Sequence, residues 1–314
     1  ASIAGAHEIL KDELDTAGER IRECLKADGW REWSGWRTGT LANARPLASV
    51  DLDSAGYTMM VRYGGLPWSI ADYMALAASW PFRRISSVDY CCEEGVAHDR
   101  EEVLDRIART TATNRECFAR ADDLAIRDRL MPVLQGRVPD DYVRSLDAIG
   151  GLILPGTVVG IGSMCRRPIH GPEGLIAVVE RLTRILPIGV KAHLFGVKGD
   201  ALPYLTPFAR WIASIDSQGW GVGVRQHALR HRIAKTDALG ADFMERWYRT
   251  QCARTLETPR HLPEAAAYRP HPVVGGRAQL GAVGGQRLLQ LALLHQLAGG
   301  AQRHQLPRLG EHLP

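Results

Sequence analysis

The sequence is poor in cysteine, and its cysteines are not spaced as metal ligands. Only six of the 314 residues are cysteine. No two of them form a Cys-x-x-Cys pair, so the sequence predicts neither a disulfide framework nor a zinc site. We expect reduced and mostly buried thiols. The six are Cys24, Cys91, Cys92, Cys117, Cys165 and Cys252.

Long apolar runs are also missing. No stretch approaches the roughly 18 consecutive apolar residues that a membrane-spanning helix needs. The beginning of the chain is charged rather than signal-like. The composition, 45% hydrophobic and 24% charged, is close to that of an average globular domain. We therefore expect a cytoplasmic enzyme.

The C-terminal part of the chain lacks several residue types. Between Pro259 and Pro314 there is no Asp or Lys and there are only two Glu. Gly-Gly pairs at 275, 284 and 299 and the lack of strand patterns argue against a second domain. We predict one domain over 1–258 and a low-complexity tail over 259–314, irregular or disordered, with one helix from Leu288 to Leu297.

From about residue 48 one pattern repeats: a short apolar or β-branched run, a Gly, Asp or Gln at its end, and then a longer amphipathic stretch. This pattern is typical of βα units and predicts an α/β fold with a parallel sheet. The predicted strands are Ala48 to Leu52, Ile85 to Val88, Met131 to Leu134, Thr157 to Val159, Val190 to Phe195 and Trp211 to Ile215. The predicted helices are Ser69 to Ser79, His98 to Arg120, Pro139 to Ile149 and Gly171 to Ile185.

Before residue 48 the clearest element is one amphipathic helix, Ala6 to Ala27. Two further strands are not evident there. Eight strands would close a barrel and six would form an open, doubly wound sheet, so the pattern alone leaves both architectures open.

Polar residues and glycines follow the predicted strands. In a parallel βα fold these positions share one edge of the sheet, where loops hold the active site. Three of them are carboxylates, which repel each other and lose hydration when they converge, so a scaffold has little reason to collect them without a use. The positions are Asp53, Asp89, Gln135, Gly160, Gly162, Gly196, Lys198 and Asp216.

Two uses of such carboxylates are open. Asp89 with Glu93, near Asp53, is one arrangement for Mg²⁺, but there is no histidine cluster and no repeated acidic spacing, so we predict no metal. In the other, one carboxylate attacks a glycosidic carbon while a second moves the proton of the leaving group. Taken singly, each aspartate also reads as a helix cap and each glycine as a turn or a close packing position.

Taken together, the segments at the strand ends carry a resemblance. They are Asp53 to Tyr57, Val88 to Cys91, Val133 to Gly136, Val159 to Arg167, His193 to Lys198 and Ile215 to Trp220. In this order they resemble the tRNA-guanine transglycosylase superfamily, which has an Asp-Ser-Gly-Gly-aromatic loop, a pocket Asp, a Gln-Gly, a Gly-rich strand end and a final catalytic Asp. The sequence of the segments after residue 159 is most similar to the DNA-acting branch, the DpdA-like 7-deazaguanine DNA-modification transglycosylases. The resemblance covers roughly residues 48 to 225.

The resemblance implies a TIM-type (β/α)8 barrel with an irregular C-terminal tail. It implies that Asp216 attacks C1′ of a nucleoside, that guanine leaves, and that Asp53 handles the proton as a 7-deazaguanine such as preQ0 enters. No cofactor is implied. The residues expected to bind the base, with the Gly160 and Gly162 backbone as hydrogen-bonding groups and Tyr57 stacking on the purine, are Asp89, Gln135, Gly136, Gly160, Gly162 and Tyr57.

A nucleic-acid partner agrees with the net charge of +4 and the pI near 8.8, although neither value requires one. DNA is the expected substrate, with helper proteins that present the strand, and tRNA is the alternative. A catalytically idle barrel that binds nucleic acid is a second alternative, because Ala55 replaces a family glycine and the C-terminal zinc ligands of many relatives are missing. The residues expected to contact the nucleic-acid backbone are Arg166, Arg167, Lys198 and Arg225.

Overall fold

The computed structural model describes residues 35–36 and 38–257. The predicted helix from Ala6 to Ala27 and the predicted tail over 259–314 lie outside these residues. The strands are β1 (Asp51–Leu52), β2 (Arg84–Ser86), β3 (Leu130–Met131), β4 (Val133–Leu134), β5 (Val158–Ile161), β6 (Lys191–Leu194) and β7 (Ile212–Ile215). The helices are α1 (Gly56–Tyr63), α2 (Ile70–Ala78), α3 (Arg100–Asp123), α4 (Pro139–Ile149), α5 (Leu175–Ile185), α6 (Leu202–Leu205), α7 (Gly219–His231) and α8 (Asp237–Arg254).

The strands form two parallel sheets, in the orders β1-β2-β3 and β4-β5-β6-β7. Within each sheet, every strand pairs with the next in parallel register. The predicted α/β class with a parallel sheet is confirmed, and each of the six predicted strands is present in whole or in part. Closure into an eight-stranded barrel stays a prediction.

Pro132 divides the strand that was predicted from Met131 to Leu134. Proline has no N–H and cannot donate to the ladder. As a result Leu130–Met131 pairs with β2 and Val133–Leu134 pairs with β5. The Pro132 carbonyl still accepts a hydrogen bond from the Gly160 N–H at 2.8 Å, so the two sheets meet along one continuous segment of chain.

The helices begin where the sequence supplies caps. Ser69 and Asp72 form a reciprocal capping box at α2, and the Asp99 side chain accepts from the Glu102 N–H at the start of α3. Pro139 opens α4, which has the predicted bounds. Helix α5 starts later than predicted because Gly171, at φ 93°, opens a turn closed by the Gly174 N–H on the Gly171 carbonyl.

Two large hydrophobic clusters lie one around each sheet, and a small third one packs Cys92 and Ala97 against α3. The first packs β1–β3 against α1, α2 and α3, with Tyr73, Phe82 and Ile85 at its centre. The second packs β4–β7 against α4 and α5, with Tyr142 and Leu182 fully buried. Burial of a large apolar side chain contributes roughly 1.5–3 kcal/mol, so the clusters hold the helices on the sheets. No helix of the described residues is both long and apolar enough to span a membrane.

Ala55 lies just before α1 in the left-handed backbone region, at φ 62° and ψ 32°. This conformation brings Cβ close to the backbone and is disfavoured for any residue except glycine. Ala55 therefore occupies this turn at an energetic cost.

We expect Ala55→Gly to stabilise the protein by about 1 kcal/mol, which raises Tm by about 2–4 °C for a domain of this size. Thermal unfolding of the purified variant measures it. Ala112→Gly, the same change at an exposed position inside α3, is the control and should cost about 1 kcal/mol. Equal destabilisation by both changes would contradict a strained Ala55.

Candidate active site

The carboxyl ends of the strands converge as the sequence predicts for a parallel sheet. Asp53 follows β1, and Asp89 follows β2 after a short extended segment. Gln135 directly follows β4 and Asp216 directly follows β7. Residues that are far apart in the chain therefore meet at one edge of the fold.

Asp89 and Gln135 form a buried hydrogen-bonded pair. The Gln135 Nε2 donates to Asp89 Oδ2, and the Ser54 hydroxyl donates to Asp89 Oδ1. Asp89 is 8% exposed and Gln135 is 1% exposed. Burial raises the pKa of Asp89 to about 7, with a further increase from the charges of Asp53 and Glu93, while the two hydrogen bonds act in the opposite direction.

Ser163 fixes the orientation of the Gln135 amide. Its hydroxyl lies 2.6 Å from Gln135 Oε1 and 3.2 Å from Glu93 Oε2, and it accepts from the Cys92 N–H at 2.7 Å. Because Oε1 faces this hydroxyl, Nε2 faces Asp89. Ser163 has φ 53°, so the position of its hydroxyl depends on a left-handed backbone. Sequence reasoning missed Ser163 and Ser54; their only signal is that they adjoin strand-end motifs.

The glycines of the site allow close packing. A Cβ on Gly162 would lie 2.1 Å from Gln135 Nε2, one on Gly160 would lie 2.7 Å from the Phe195 ring, and one on Gly136 would lie 2.5 Å from Asp141 Cβ. The N–H groups of Gly160 and Gly162 already donate within the sheet, to the carbonyls of Pro132 and Leu134. These two N–H groups are therefore engaged within the protein, and binding of a base by the Gly160 and Gly162 backbone stays a prediction.

Asp53 and Asp216 line one cavity of about 270 Å³, together with His193 and Phe195. The Gly196 N–H donates to Asp216 Oδ1. Burial raises the pKa of Asp216 to about 7; the Gly196 hydrogen bond opposes this increase and the charge of Asp53 adds to it. Two carboxylates in one poorly hydrated space are thus both accessible and harder to ionise.

Asp53 is exposed toward this cavity, but protein surrounds it on its other sides. That desolvation raises its pKa, and the N–H groups of Ala55 and Ser54 partly offset the increase. Asp53 also raises the pKa of both Asp89 and Asp216 through its charge. It therefore lies near both of the other carboxylates.

His193 is a neighbour of Asp216 that sequence reasoning missed. It is 5% exposed, its Nδ1 lies 2.7 Å from the Ser214 hydroxyl, and its Nε2 lies 4.0 Å from Asp216 Oδ2. Burial lowers the pKa of His193 to about 3, and the charges of Arg84 and Arg83 lower it further against the opposing charge of Asp51. The imidazole is therefore neutral near pH 7, and its contact with Asp216 is not an ion pair.

Three exposed cations and one aromatic residue lie on segments that follow the strands. The Arg166 guanidinium lies 5.6 Å from the centre of the Tyr57 ring, which joins the loops after β5 and β1. Tyr57 is 37% exposed. Arg166, Lys198 and Arg225 are exposed and remain available to an anionic ligand.

Arg167 is not available for the predicted contact with a nucleic-acid backbone. It is 8% exposed, and its guanidinium donates to the carbonyls of Ser163, Arg137, Glu173 and Gly136 and to the Tyr142 hydroxyl. These bonds satisfy its donors inside the protein. Arg167 therefore ties together the loops that follow β4 and β5.

Within the part of the chain that the structure describes, no group of three or more His, Cys, Asp or Glu side chains is arranged to hold a metal ion. The buried thiols of Cys91, Cys92 and Cys117 are free, and Cys165 is free and exposed.

Comparison with known proteins gives one family. The family model described as DpdA, DeoxyPurine in DNA protein A, matches residues 27–261. This span includes every residue of the site. A search of curated proteins finds no match.

The raised pKa of Asp216 predicts a pH-dependent stability. Its pKa is about 7 in the folded protein against an ordinary value of 3.8, so the folded state holds a proton that the unfolded state releases. The contribution of Asp216 to the free energy of unfolding is therefore greatest below about pH 4, and it is lost as the pH rises through about 7. We expect Asp216→Asn to raise Tm, by an amount that grows from about pH 4 to about pH 7 and then levels off.

Thermal unfolding across this pH range checks the expectation, with the exposed Asp147→Asn as a matched control. A Tm difference for Asp216→Asn that does not depend on pH, or that is the same for Asp147→Asn, would contradict it.

Proposed function

Because the chain belongs to the DpdA family, DeoxyPurine in DNA protein A, we propose that it replaces guanine in DNA by a 7-deazaguanine base through a covalent bond between Asp216 and the sugar. Membership of the family implies a role in 7-deazaguanine modification of DNA by a transglycosylase-type enzyme. One observation carries the finer proposal: Asp216, oriented by the Gly196 N–H, shares a cavity with Asp53. The charge of Asp53 also acts on Asp89 of the Asp89–Gln135 pair.

The Asp89–Gln135 pair recognises the base. Each carboxylate oxygen of Asp89 accepts one protein hydrogen bond and keeps a lone pair for the N1–H and N2–H of guanine, and Gln135 Nε2 keeps a second hydrogen for O6. A 7-deazaguanine presents the same three groups, which supports exchange between the two bases. The partly exposed ring of Tyr57 stacks on the purine face.

The two remaining aspartates perform the exchange. Asp216 attacks C1′ and forms a C1′–O bond, the C1′–N9 bond breaks, and its electron pair leaves with guanine, which takes a proton from Asp53. Asp53 then accepts the N9 proton of the incoming base. N9 attacks C1′, and the bond to Asp216 breaks, which regenerates the carboxylate. The raised pKa of Asp53 supports its role as the acid of the first step.

The substrate strand requires contacts outside the pocket. We assign these to Arg166, Lys198 and Arg225, whose exposed cations flank the loops that carry the site, since phosphate contacts position a nucleic acid without reading its sequence. We further propose that the sheets belong to a (β/α)8 barrel. The shared cavity of Asp53 after β1 and Asp216 after β7 supports this, because it requires the first and last strands of the described fold to approach each other.

We expect purified protein with preQ0 and DNA to yield a deazaguanine deoxynucleoside after nucleoside digestion and mass spectrometry. Asp216→Asn should reduce this product more than about a thousandfold because it removes the nucleophile, and Asp53→Asn about a hundredfold or more. Asp147→Asn, the matched surface control, should leave it unchanged. Exchange in tRNA alone would replace the DNA proposal, and no exchange in either would support an idle barrel.

Gly162→Ala tests the base pocket. The added Cβ would displace Gln135 Nε2 and remove an oriented hydrogen bond worth about 1–3 kcal/mol, so we expect KM for the base to rise about ten- to a hundredfold. Gly150→Ala adds the same methyl where no atom lies within 4 Å and serves as control. Steady-state exchange kinetics measure both, and an unchanged KM in Gly162→Ala would argue against base binding at Gln135.

A further inference from the structure

We propose that His193, held by Ser214, is a positioning residue that presents its Nε2–H to the carboxylate of Asp216. The inference rests on the proposed function, in which Asp216 is the nucleophile. It adds a residue that acts on the reaction only through Asp216.

The register of β6 and β7 places the three side chains together. His193 pairs with Ser214 across the two strands, so both side chains lie on the same face of the sheet, and Asp216 returns to that face two residues later. The imidazole is 5% exposed and lies edge-on to Phe195, with ring centres 4.5 Å apart at 81°. Packing and the Ser214 contact at 2.7 Å therefore restrict the rotation of the ring.

The Ser214 hydroxyl determines which nitrogen faces Asp216 with a proton. A neutral imidazole has one N–H, and a hydroxyl acts as donor or acceptor. When Ser214 donates to Nδ1, the proton is on Nε2, which lies 4.0 Å from Asp216 Oδ2. Asp216 Oδ1 already accepts from the Gly196 N–H, so Oδ2 is the oxygen left for His193. A distance of 4.0 Å is too long for a hydrogen bond, and such contacts tighten when substrate binds.

Several charged groups lie near the contact between His193 and Asp216. Asp53, at the end of β1, faces Asp216 and disfavours its ionised form, and Cys165 approaches from the loop after β5. On the other side, Arg83 and Arg84 of β2 and Asp51 of β1 act on His193.

The net effect of these charges and of burial keeps His193 neutral. His193 therefore does not titrate in the working range. It favours the ionised nucleophile through its N–H dipole, together with the Gly196 N–H.

The test is the pH profile of kcat/KM for base exchange. Loss of the donor in His193→Phe should move the acidic limb up by about one pH unit. Because the Asp216 pKa is about 7, this shift should lower the rate at pH 7 about fivefold, with the wild-type rate regained at pH 9 and an unchanged KM. His193→Gln, which keeps an N–H near the position of Nε2, should restore the limb, and Ser214→Ala should shift it in the same direction as His193→Phe. His227→Phe on α7 is the control and should leave the limb in place.

A second measurement does not depend on exchange. Nitrogen-15 NMR of histidine-labelled protein at pH 8 should show His193 as the Nε2–H tautomer, with this preference weakened in Ser214→Ala. If the wild type showed no exchange, the proposed function would fail while the NMR still tested the contact. An Nδ1–H tautomer in the wild type, or a His193→Phe profile that is lower by the same factor at every pH, would overturn the proposal.

Discussion

The rest of the site depends on one electrostatic constraint, the concentration of three carboxylates in a poorly hydrated space. Desolvation raises the pKa of Asp53, Asp89 and Asp216, and the charge of Asp53 raises the pKa of the other two further. The nearby cations Arg83 and Arg84 form ion pairs with Asp51, so they do not neutralise the charge of the three carboxylates. Hydrogen bonds from uncharged donors hold the carboxylates instead. Such donors orient a carboxylate without the large pKa decrease that a paired arginine causes.

Backbone geometry supplies many of these donors. Gly196 lies at φ 71° and Ser163 at φ 53°, and both turn the chain just beyond a strand so that an N–H or a hydroxyl faces inward. A residue other than glycine in the left-handed region raises the free energy of the folded state. Ser163 adopts this conformation at the point where its hydroxyl orients Gln135. The two large hydrophobic clusters beneath the strands hold these strained residues in place just beyond the strand ends. Strain and function thus coincide at the carboxyl edge of the sheets.

Much of this arrangement was predictable because it depends on local patterns. Apolar runs identified the strands, Pro139 marked the start of α4, and the strand ends identified Asp53, Asp89 and Asp216. Contacts between distant segments were not predictable. Arg166 and Arg167 are adjacent and chemically identical, yet one is exposed over Tyr57 and the other is enclosed by carbonyl groups. His193 resembled any strand residue, since only the register with Ser214 brings it to Asp216.

The division of the sheet at Pro132 gives the Asp89–Gln135 pair a structural role besides its proposed role in base binding. Asp89 belongs to the half of the fold built on β1–β3, and Gln135 follows β4 in the other half. Their hydrogen bond is a side-chain cross-link between two halves at the point where the main-chain ladder is interrupted. Whatever occupies the pocket competes for or reinforces that cross-link. Under the proposed function, recognition of the base and cohesion of the two halves are therefore thermodynamically linked.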